Sequence, residues 1–572
     1  MFERSPSSSN GIRRLPSLRN FELPQLSFQC SQSNINRSWS LNGPYRGLVG
    51  EQRSDGDIER QEVGRLTGVN ENDEPDIKPE SETPLETEDP DLVTWSSEDD
   101  PTNPINWPNR KRWTATLLVA CFTFISPLAS TMIAPSLNTI AKEFNITKDA
   151  EKALVMTIFL LAYAIGPFLI GPLSEMFGRV VVLQCANFVF LLFNTVCGFA
   201  RSKEQMLAFR FLSGLGASAP QAIGGGVISD CWRAEERGKA IAIYSLAPFL
   251  GPSLGPIAGG LITQNTTWRW VFWGTSILDL FVQILATLFL HETYPPKILA
   301  VKAKKLIQET GNTALHTKWQ NPDHTFRHVL KKNLVRPFVM LATQPTIQVM
   351  ALYRAYIYGL KYLILSTFPM VFEDVYNMSI GDASLNYLSL GIGFVIGLQI
   401  CAPIIDKVVH SSLSSPVYSN ITSQIYIRLK RRYNSPGRPE FRIPLMLPGG
   451  LLVPIGLLIY GFTARSSIHF IVPNIGAAIF ACGCIICFQC AQAYVVDAYT
   501  TYAASATGAA AFVRTIAGFG FPLFAGKLYG SLGVGWGNGV LAFVALGLGI
   551  PAPILFWKYG ERMRARSTYC SG

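Results

Sequence analysis

Some residues in this chain could carry charge chemistry in places where charge is costly. Arg210, Asp279, Arg354, Lys361 and Arg514 stand inside long apolar runs, and Asp497 stands near the end of one. An ionised side chain at the middle of a bilayer costs roughly 2.5–3.5 kcal/mol on insertion scales, so such groups pair, snorkel or serve a function. A carboxylate there can take up and release a proton. A guanidinium or ammonium can hold an anion. Arg210 lies about one turn from the end of its run, so snorkelling to the interface is the structural reading of it. Asp279 lies mid-run and has two readings of equal standing, a structural pair or a proton carrier. Lys361 needs water or an acid, and Glu373 is more than three helical turns away. Four tyrosines surround Lys361 in sequence. Tyr353 and Tyr356 share one helical face and Tyr358 and Tyr362 another, so they cannot all line one cavity. A tyrosine-bearing, partly basic cavity suits aromatic or weakly acidic compounds through stacking and hydrogen bonding.

Composition dictates the scaffold that carries these groups. The chain has 572 residues and a net charge of +10, yet only 15% of its residues are charged. An average soluble protein has about 25%. The charges crowd into the first hundred residues and two later loops. Twelve apolar segments are long enough to cross a bilayer, near 113–136, 151–172, 180–200, 206–229, 239–262, 270–290, 346–372, 383–405, 443–464, 470–496, 503–528 and 537–557. Backbone groups in lipid must be satisfied within the segment, so these are helices. The fold class is an all-α polytopic membrane protein with two pseudo-symmetric six-helix bundles. The expected domains are a disordered tail over 1–106, bundles over 107–290 and 346–557, a central loop over 291–345 and a tail over 558–572. Residues 1–106 are rich in Ser, Pro, Asn and acids without apolar periodicity. Ordered structure is expected from about Asp99.

Lys and Arg concentrate in loops after even-numbered segments, which places both termini in the cytosol. The sequons at Asn145, Asn265 and Asn377 all fall in loops this topology puts outside, where they are candidate glycosylation sites. The basic excess lies beside membrane segments, so topology explains it better than nucleic acid does. The run Cys482-Gly-Cys484-Ile-Ile-Cys487-Phe-Gln-Cys490 mimics metal-ligand spacing. It lacks flanking His or acid, and small residues at a helix contact explain it better. No Walker motif, His cluster, nucleophile elbow or acid pair is present, which argues against an ATP-driven pump or an enzyme. No cofactor is expected beyond an ion gradient.

Three stretches carry a resemblance. Gly171-Pro-Leu-Ser-Glu-Met-Phe-Gly-Arg179 joins the second and third segments. It allows a tight turn and offers Glu175 and Arg179 to neighbouring charges. Leu207-Ala-Phe-Arg210-Phe-Leu-Ser-Gly214-Leu-Gly216 lies in the fourth segment. Gly251-Pro252, Gly255-Pro256 and Gly259-Gly260 recur every four residues in the fifth. That spacing stacks them on one helix face, where a partner helix can approach closely. These stretches resemble motifs of the major facilitator superfamily, and the last resembles the antiporter motif of its drug:proton exchangers. Ser174 and Glu175 replace the usual Ala and Asp of the loop motif, and Ser213 replaces a Gln. Together with Asn103-Pro-Ile-Asn-Trp107, Trp268-Arg-Trp-Val-Phe-Trp273, His291-Glu-Thr-Tyr-Pro-Pro296 and Tyr494-Val-Val-Asp-Ala-Tyr499, they resemble the fungal twelve-span drug:proton antiporters.

The resemblance implies proton-coupled export of small amphiphilic molecules by alternating access, in a plasma-membrane protein working as a monomer. Coupling and gating would fall to Arg210, Glu175, Arg179, Asp230, Arg237, Asp279, Asp497 and Arg514, with Arg179–Asp230 the leading pair. The glycine stripe is expected to seal one bundle against the other, and a purely structural seam is its alternative. Tyr353, Tyr356, Lys361 and Tyr494 are the expected substrate-cavity set. Uptake by proton symport and a non-transporting nutrient sensor are the alternative functions. Ala402-Pro-Ile-Ile-Asp-Lys407 echoes the Gly171 loop at the matching place in the second half. After it, Val408 to Gln424 interrupts a family-like Asp-Lys-Ile-Tyr-Ile-Arg-Leu-Lys run. Val codons begin GT and Gln can be encoded CAG, which marks 408–424 as a retained short intron or a loop insertion.

Overall fold

The computed structural model describes residues 89–233, 236–319, 326–401, 428–433, 438–567 and 569–570. Ala402 to Lys407 and the 408–424 interruption lie outside them. Among the described residues, ten helices are long and apolar enough to cross a membrane. They resolve into the twelve segments read from the sequence for two physical reasons. The fourth segment is broken at Ser218 into Lys203–Ala217 and Ala219–Cys231. At the other end of the chain, Ala503–Gly549 contains Gly533 at φ 68°, and the chain turns back there. Tyr529 Oη donates to Asn538 Oδ1 at 3.0 Å. Nine residues of unbroken helix would separate these groups by about 13 Å, beyond any hydrogen bond. The eleventh span therefore precedes Gly533, and the twelfth follows it and continues through Pro551–Ala565.

The remaining spans are Asn109–Thr131, Asp149–Phe177, Arg179–Cys197, Arg237–Asn265, Arg269–Phe289, Pro345–Pro369, Ile380–Leu385 with Tyr387–Cys401, Met446–Thr463 and Ile471–Ala498. Glycines set how closely they pack. A side chain on Gly214 would meet the Phe159 carbonyl, and one on Gly216 the Ala186 carbonyl. The two glycines of the Arg210 stretch thus let the fourth span lie against the second and third. Gly456, Gly476 and Gly483 do the same between the ninth and tenth spans. Cys487 lies in that seam, its thiol 3.7 Å from the Met446 carbonyl. Among the described residues no group of side chains is arranged to hold a metal ion.

Two regions expected as tail and loop carry placed structure: the segment from Asp89 to Trp107 straps the central region, and that region is itself helical over Pro295–Thr310 and Phe326–Thr343. Val93 N donates to the His316 carbonyl at 2.8 Å, and Lys302 donates to Ser96 Oγ at 2.7 Å. Asp100, within the strap, is buried. Hydrogen bonds from the Thr102 hydroxyl and from the Ser96 and Thr102 amides, with Lys302 beside it, hold its carboxyl well below the usual carboxylate range. The strap identifies one face of the molecule, called the strap face below.

Candidate functional site

A cavity of about 230 Å³ lies at the centre, between the two halves. The first half contributes Ser126, Ser130, Phe159, Tyr163, Tyr244 and Phe249. The second contributes Arg354, Tyr358, Lys361, Tyr362, Phe488 and Arg514. A vestibule of about 500 Å³ shares Tyr163, Gln221, Arg354, Gln492 and Arg514 with it and leads toward the strap face past Glu175 and Gly508. On the opposite side Ser130 Oγ and Tyr362 Oη lie 3.1 Å apart and link the first span to the seventh. Nearer that outer face Asn138 donates to Glu373 at 3.2 Å.

The cavity holds three cations. Arg354 is 2% exposed and Lys361 7%. Aromatic faces receive them. The Arg354 and Arg514 guanidinium carbons lie 4.4 and 5.0 Å from the centre of the Phe488 ring. Lys361 Nζ lies 5.2–5.9 Å from the rings of Phe394, Tyr358, Tyr362 and Phe249. Arg354 Nε and Nη1 and Arg514 Nε are buried with no hydrogen-bond partner among the described residues. Among the described residues, no carboxylate lines the cavity. Ring faces offset part of the desolvation of a cation, by up to about 2 kcal/mol each, but supply no hydrogen-bond acceptor.

Of the expected cavity set, only Lys361 lines it. Tyr353 packs against the tenth-span cysteines on the other side of its helix. Tyr356 donates to the Leu541 carbonyl at 2.6 Å. Tyr494 is buried against Phe556, near Glu440 and Gly560. The lining face carries Arg354, Tyr358, Lys361 and Tyr362 instead. A signal for this existed: Arg354, Tyr358 and Lys361 follow at i, i+4 and i+7, one helix face. Phe488 and Phe249 had no such signal, because an aromatic in an apolar run looks like any other core residue.

Arg210 is fully buried, so it does not snorkel. Its guanidinium donates to the carbonyls of Ala129, Ser130, Val155 and Met156 at 3.1–3.4 Å. Ala129 and Ser130 are in the last turn of the first span, whose carbonyls lack helical partners and form the negative end of its dipole. Asp279 is also fully buried, but it lies outside the cavity and vestibule. It accepts from Asn187 at 3.0 and 3.2 Å, joining the third and sixth spans.

At the strap face the expected pair forms: Arg179 Nε lies 2.5 Å from Asp230. Glu292 completes the cluster, a role the sequence did not signal. It accepts from the amides of Arg179 and Val180 at 3.0 and 3.3 Å and so caps the third span. The second half repeats the plan. Arg442, ahead of the ninth span, pairs with Asp497 at the end of the tenth at 2.8 Å. Arg564, at the chain's last helix, pairs with Glu440 at 2.9 Å. At the N-cap of the fifth span Glu236 pairs with Arg112 at 2.7 Å. Arg237 forms no ion pair among the described residues.

The glycine stripe does not face the other half. Side chains on Gly251, Gly255 and Gly259 would meet Phe124, Leu128, Thr131 and Met132, all on or beside the first span. Gly260, one residue round the helix, faces Ser384 and the Ile380 carbonyl of the eighth span, and Gly391 faces Ser253. The seal between halves thus uses the residues beside the stripe, and Pro252 and Pro256 are buried within this packing.

Two bundles of six spans around a central cavity, with paired charge latches at one face, are an alternating-access scaffold. Residues 119–522 match the Major Facilitator Superfamily. This chain belongs to that superfamily. It is 46% identical over 85% of its length to the efflux pump vrtL of Penicillium aethiopicum, covering 92% of that protein. It is 38% identical, again over 85%, to the efflux pump radE of Floropilus chiversii, covering 87% of it. The proton:xylose symporter XylE shares the fold, with a TM-score of 0.56 at 15% identity over 79% of this chain and 96% of that one. The molecule is therefore a multi-pass membrane protein of a transporter superfamily.

Proposed function

We propose that this protein exports small amphiphilic aromatic compounds, secondary metabolites or toxins, across the plasma membrane in exchange for protons. The observation that carries the reading is the cavity between the halves, walled by rings and polar groups and continued by a vestibule to the strap face. The names of its relatives as efflux pumps support the direction. In this reading the strap face and both termini are cytosolic, and the exposed Asn145, Asn265 and Asn377 at the opposite face are glycosylation sites. The monomer carries the whole pathway. Glu175 is the carboxylate of the vestibule, and protonating it would reset the strap-face charges that bias the two states. Asp279, Asp497 and Arg237 support packing and latches rather than the proton path.

The test is transport in inside-out vesicles. An acid-inside gradient should drive uptake of a fluorescent aromatic amphiphile, and nigericin should abolish it. Uptake driven by the opposite gradient would indicate a symporter, and binding without flux a sensor.

A further inference from the structure

We infer that the transported molecule is a planar organic anion, its oxyanion held by Arg354 and Arg514 while its ring system lies along Phe488 and Tyr358. This rests on the export reading and names the substrate class of the same cavity.

Three observations carry it. The first is charge balance: Arg354, Lys361 and Arg514 line a space whose wall, among the described residues, holds no carboxylate. A buried cation without a counter-charge is costly, and proteins pair such groups or use them. The second is hydrogen bonding. Arg354 is 98% withdrawn from solvent, yet two of its nitrogens have no acceptor, and neither does Arg514 Nε. The same chain shows that a buried arginine can be satisfied, because Arg210 is given four carbonyls. The open donors of Arg354 and Arg514 belong to residues that line the cavity. The third is shape. Both guanidinium groups lie over one ring, Phe488, and Arg514 lies 5.0 Å from the Tyr358 ring as well. A carboxylate or delocalised phenolate takes the forked donors of arginine in its own plane. Its aromatic body then lies along the rings that already face the cations. Lys361, inside its four rings, is placed for a second oxygen further into the cavity.

The experiment uses the full chain in nanodiscs and three probes of one shape: 2-naphthoate, 2-naphthamide and 2-naphthylmethylammonium. Equilibrium dialysis should show naphthoate binding at least tenfold tighter than the amide, and the ammonium weakest. R354M and R514M should each lose tenfold or more for naphthoate and change the amide less than twofold. R354Q and R514Q repeat the test should the methionine variants fail to fold. Equal affinity for the three probes in the parent protein, no naphthoate binding up to millimolar concentration, or naphthoate binding that survives both substitutions overturns the inference. Flux in proteoliposomes separates the two readings. Naphthoate bound but not moved leaves this site standing and removes the exporter. The amide moved as fast as naphthoate leaves the exporter and removes the anion.

Discussion

Arg210 and Arg354 are both arginines buried at membrane depth, and the structure treats them in opposite ways. Arg210 is closed in by the carbonyls of two spans of its own half, two of them orphaned by the end of the first span. Arg354 stands on the wall of the passage with rings on one side and unfilled donors on the other. The first arrangement is complete without any ligand and holds a half together. The second is complete only with a visitor. Burial and charge are the same in both, so neither of those properties separates a structural ion from a binding one. The count of acceptors does.

That difference predicts effects of opposite sign. Arg210→Met removes the cation that reaches four carbonyls and leaves a hole where a guanidinium sat. Breaking such a buried polar cluster costs about 3–5 kcal/mol. Loss of a monodisperse peak, or a melting temperature lower by several degrees, is the expected result in fluorescence size-exclusion thermal scans. Arg210→Lys should recover part of it, since an ammonium can reach some of the carbonyls but cannot fork. A variant as stable as the parent would show that the carbonyl cluster holds nothing.

Arg354→Met and Arg514→Met should go the other way. Replacing an uncompensated buried ion by an apolar chain of similar length is often neutral or stabilising, by about 1–4 kcal/mol. The ligand-free variants are expected to melt at or above the parent's temperature while losing export. Stability given up to keep a site open is a general trade-off of functional sites. A melting temperature that fell as far as in Arg210→Met would erase the distinction drawn between the two arginines.

Much of this was legible in the sequence, for reasons that also mark where it stopped. The spans were readable because lipid forces each to satisfy its own backbone. Arg179–Asp230 was readable because both residues sit at helix ends, Arg179 opening the third span and Asp230 in the last turn of the fourth. The cavity face was misassigned because a helix rich in tyrosine on every side does not say which side is inward, and only the phase of Arg354 and Lys361 fixes it. Tyr494 was placed in the cavity for a related reason: its neighbours are Phe556 on the helix Pro551–Ala565 and the Glu440–Arg564 pair, and the sequence around it does not show them. The stripe of Gly251, Gly255 and Gly259 was correctly a close-approach face, but its periodicity carries no information about which neighbour approaches.

The fifth span lets the same contrast, within a half against between halves, be tested one residue apart. A methyl at Gly259 would press on the Met132 backbone carbonyl, which cannot yield. A methyl at Gly260 would press on the Ser384 side chain, across the seal. Overpacking costs about 1–3 kcal/mol in either case. Gly259→Ala should therefore lower the melting temperature, and no substitution in the second half should restore it. Gly260→Ala should leave the first half intact and bias the equilibrium away from the state shown here, slowing export. Ser384→Gly should rescue it. Failure of that rescue, with Ser384→Gly alone active, would mean that Gly260 does not gate through the eighth span.

The smallest effect is expected where the two arginine environments meet. Ser130 touches both. Its backbone carbonyl accepts from Arg210 at 3.4 Å, and its hydroxyl, 3.1 Å from Tyr362, joins the half that Arg210 stabilises to the helix that carries Arg354 and Lys361. Ser130→Ala keeps the carbonyl and removes the bond across the seal. Tyr362→Phe removes the same bond from the other side and leaves the Ser130 hydroxyl its contact to the Pro127 carbonyl at 2.9 Å. A net hydrogen bond is worth about 0.5–1.5 kcal/mol, so each variant should change the export rate by roughly threefold to tenfold. The change should appear in turnover rather than in naphthoate affinity, because neither group is among the donors assigned to the oxyanion. The double variant should be no worse than either single one, since both break one bond. Additive losses would mean that Ser130 and Tyr362 act separately, and that nothing but packing connects the arginine that holds a half together to those that wait for a ligand.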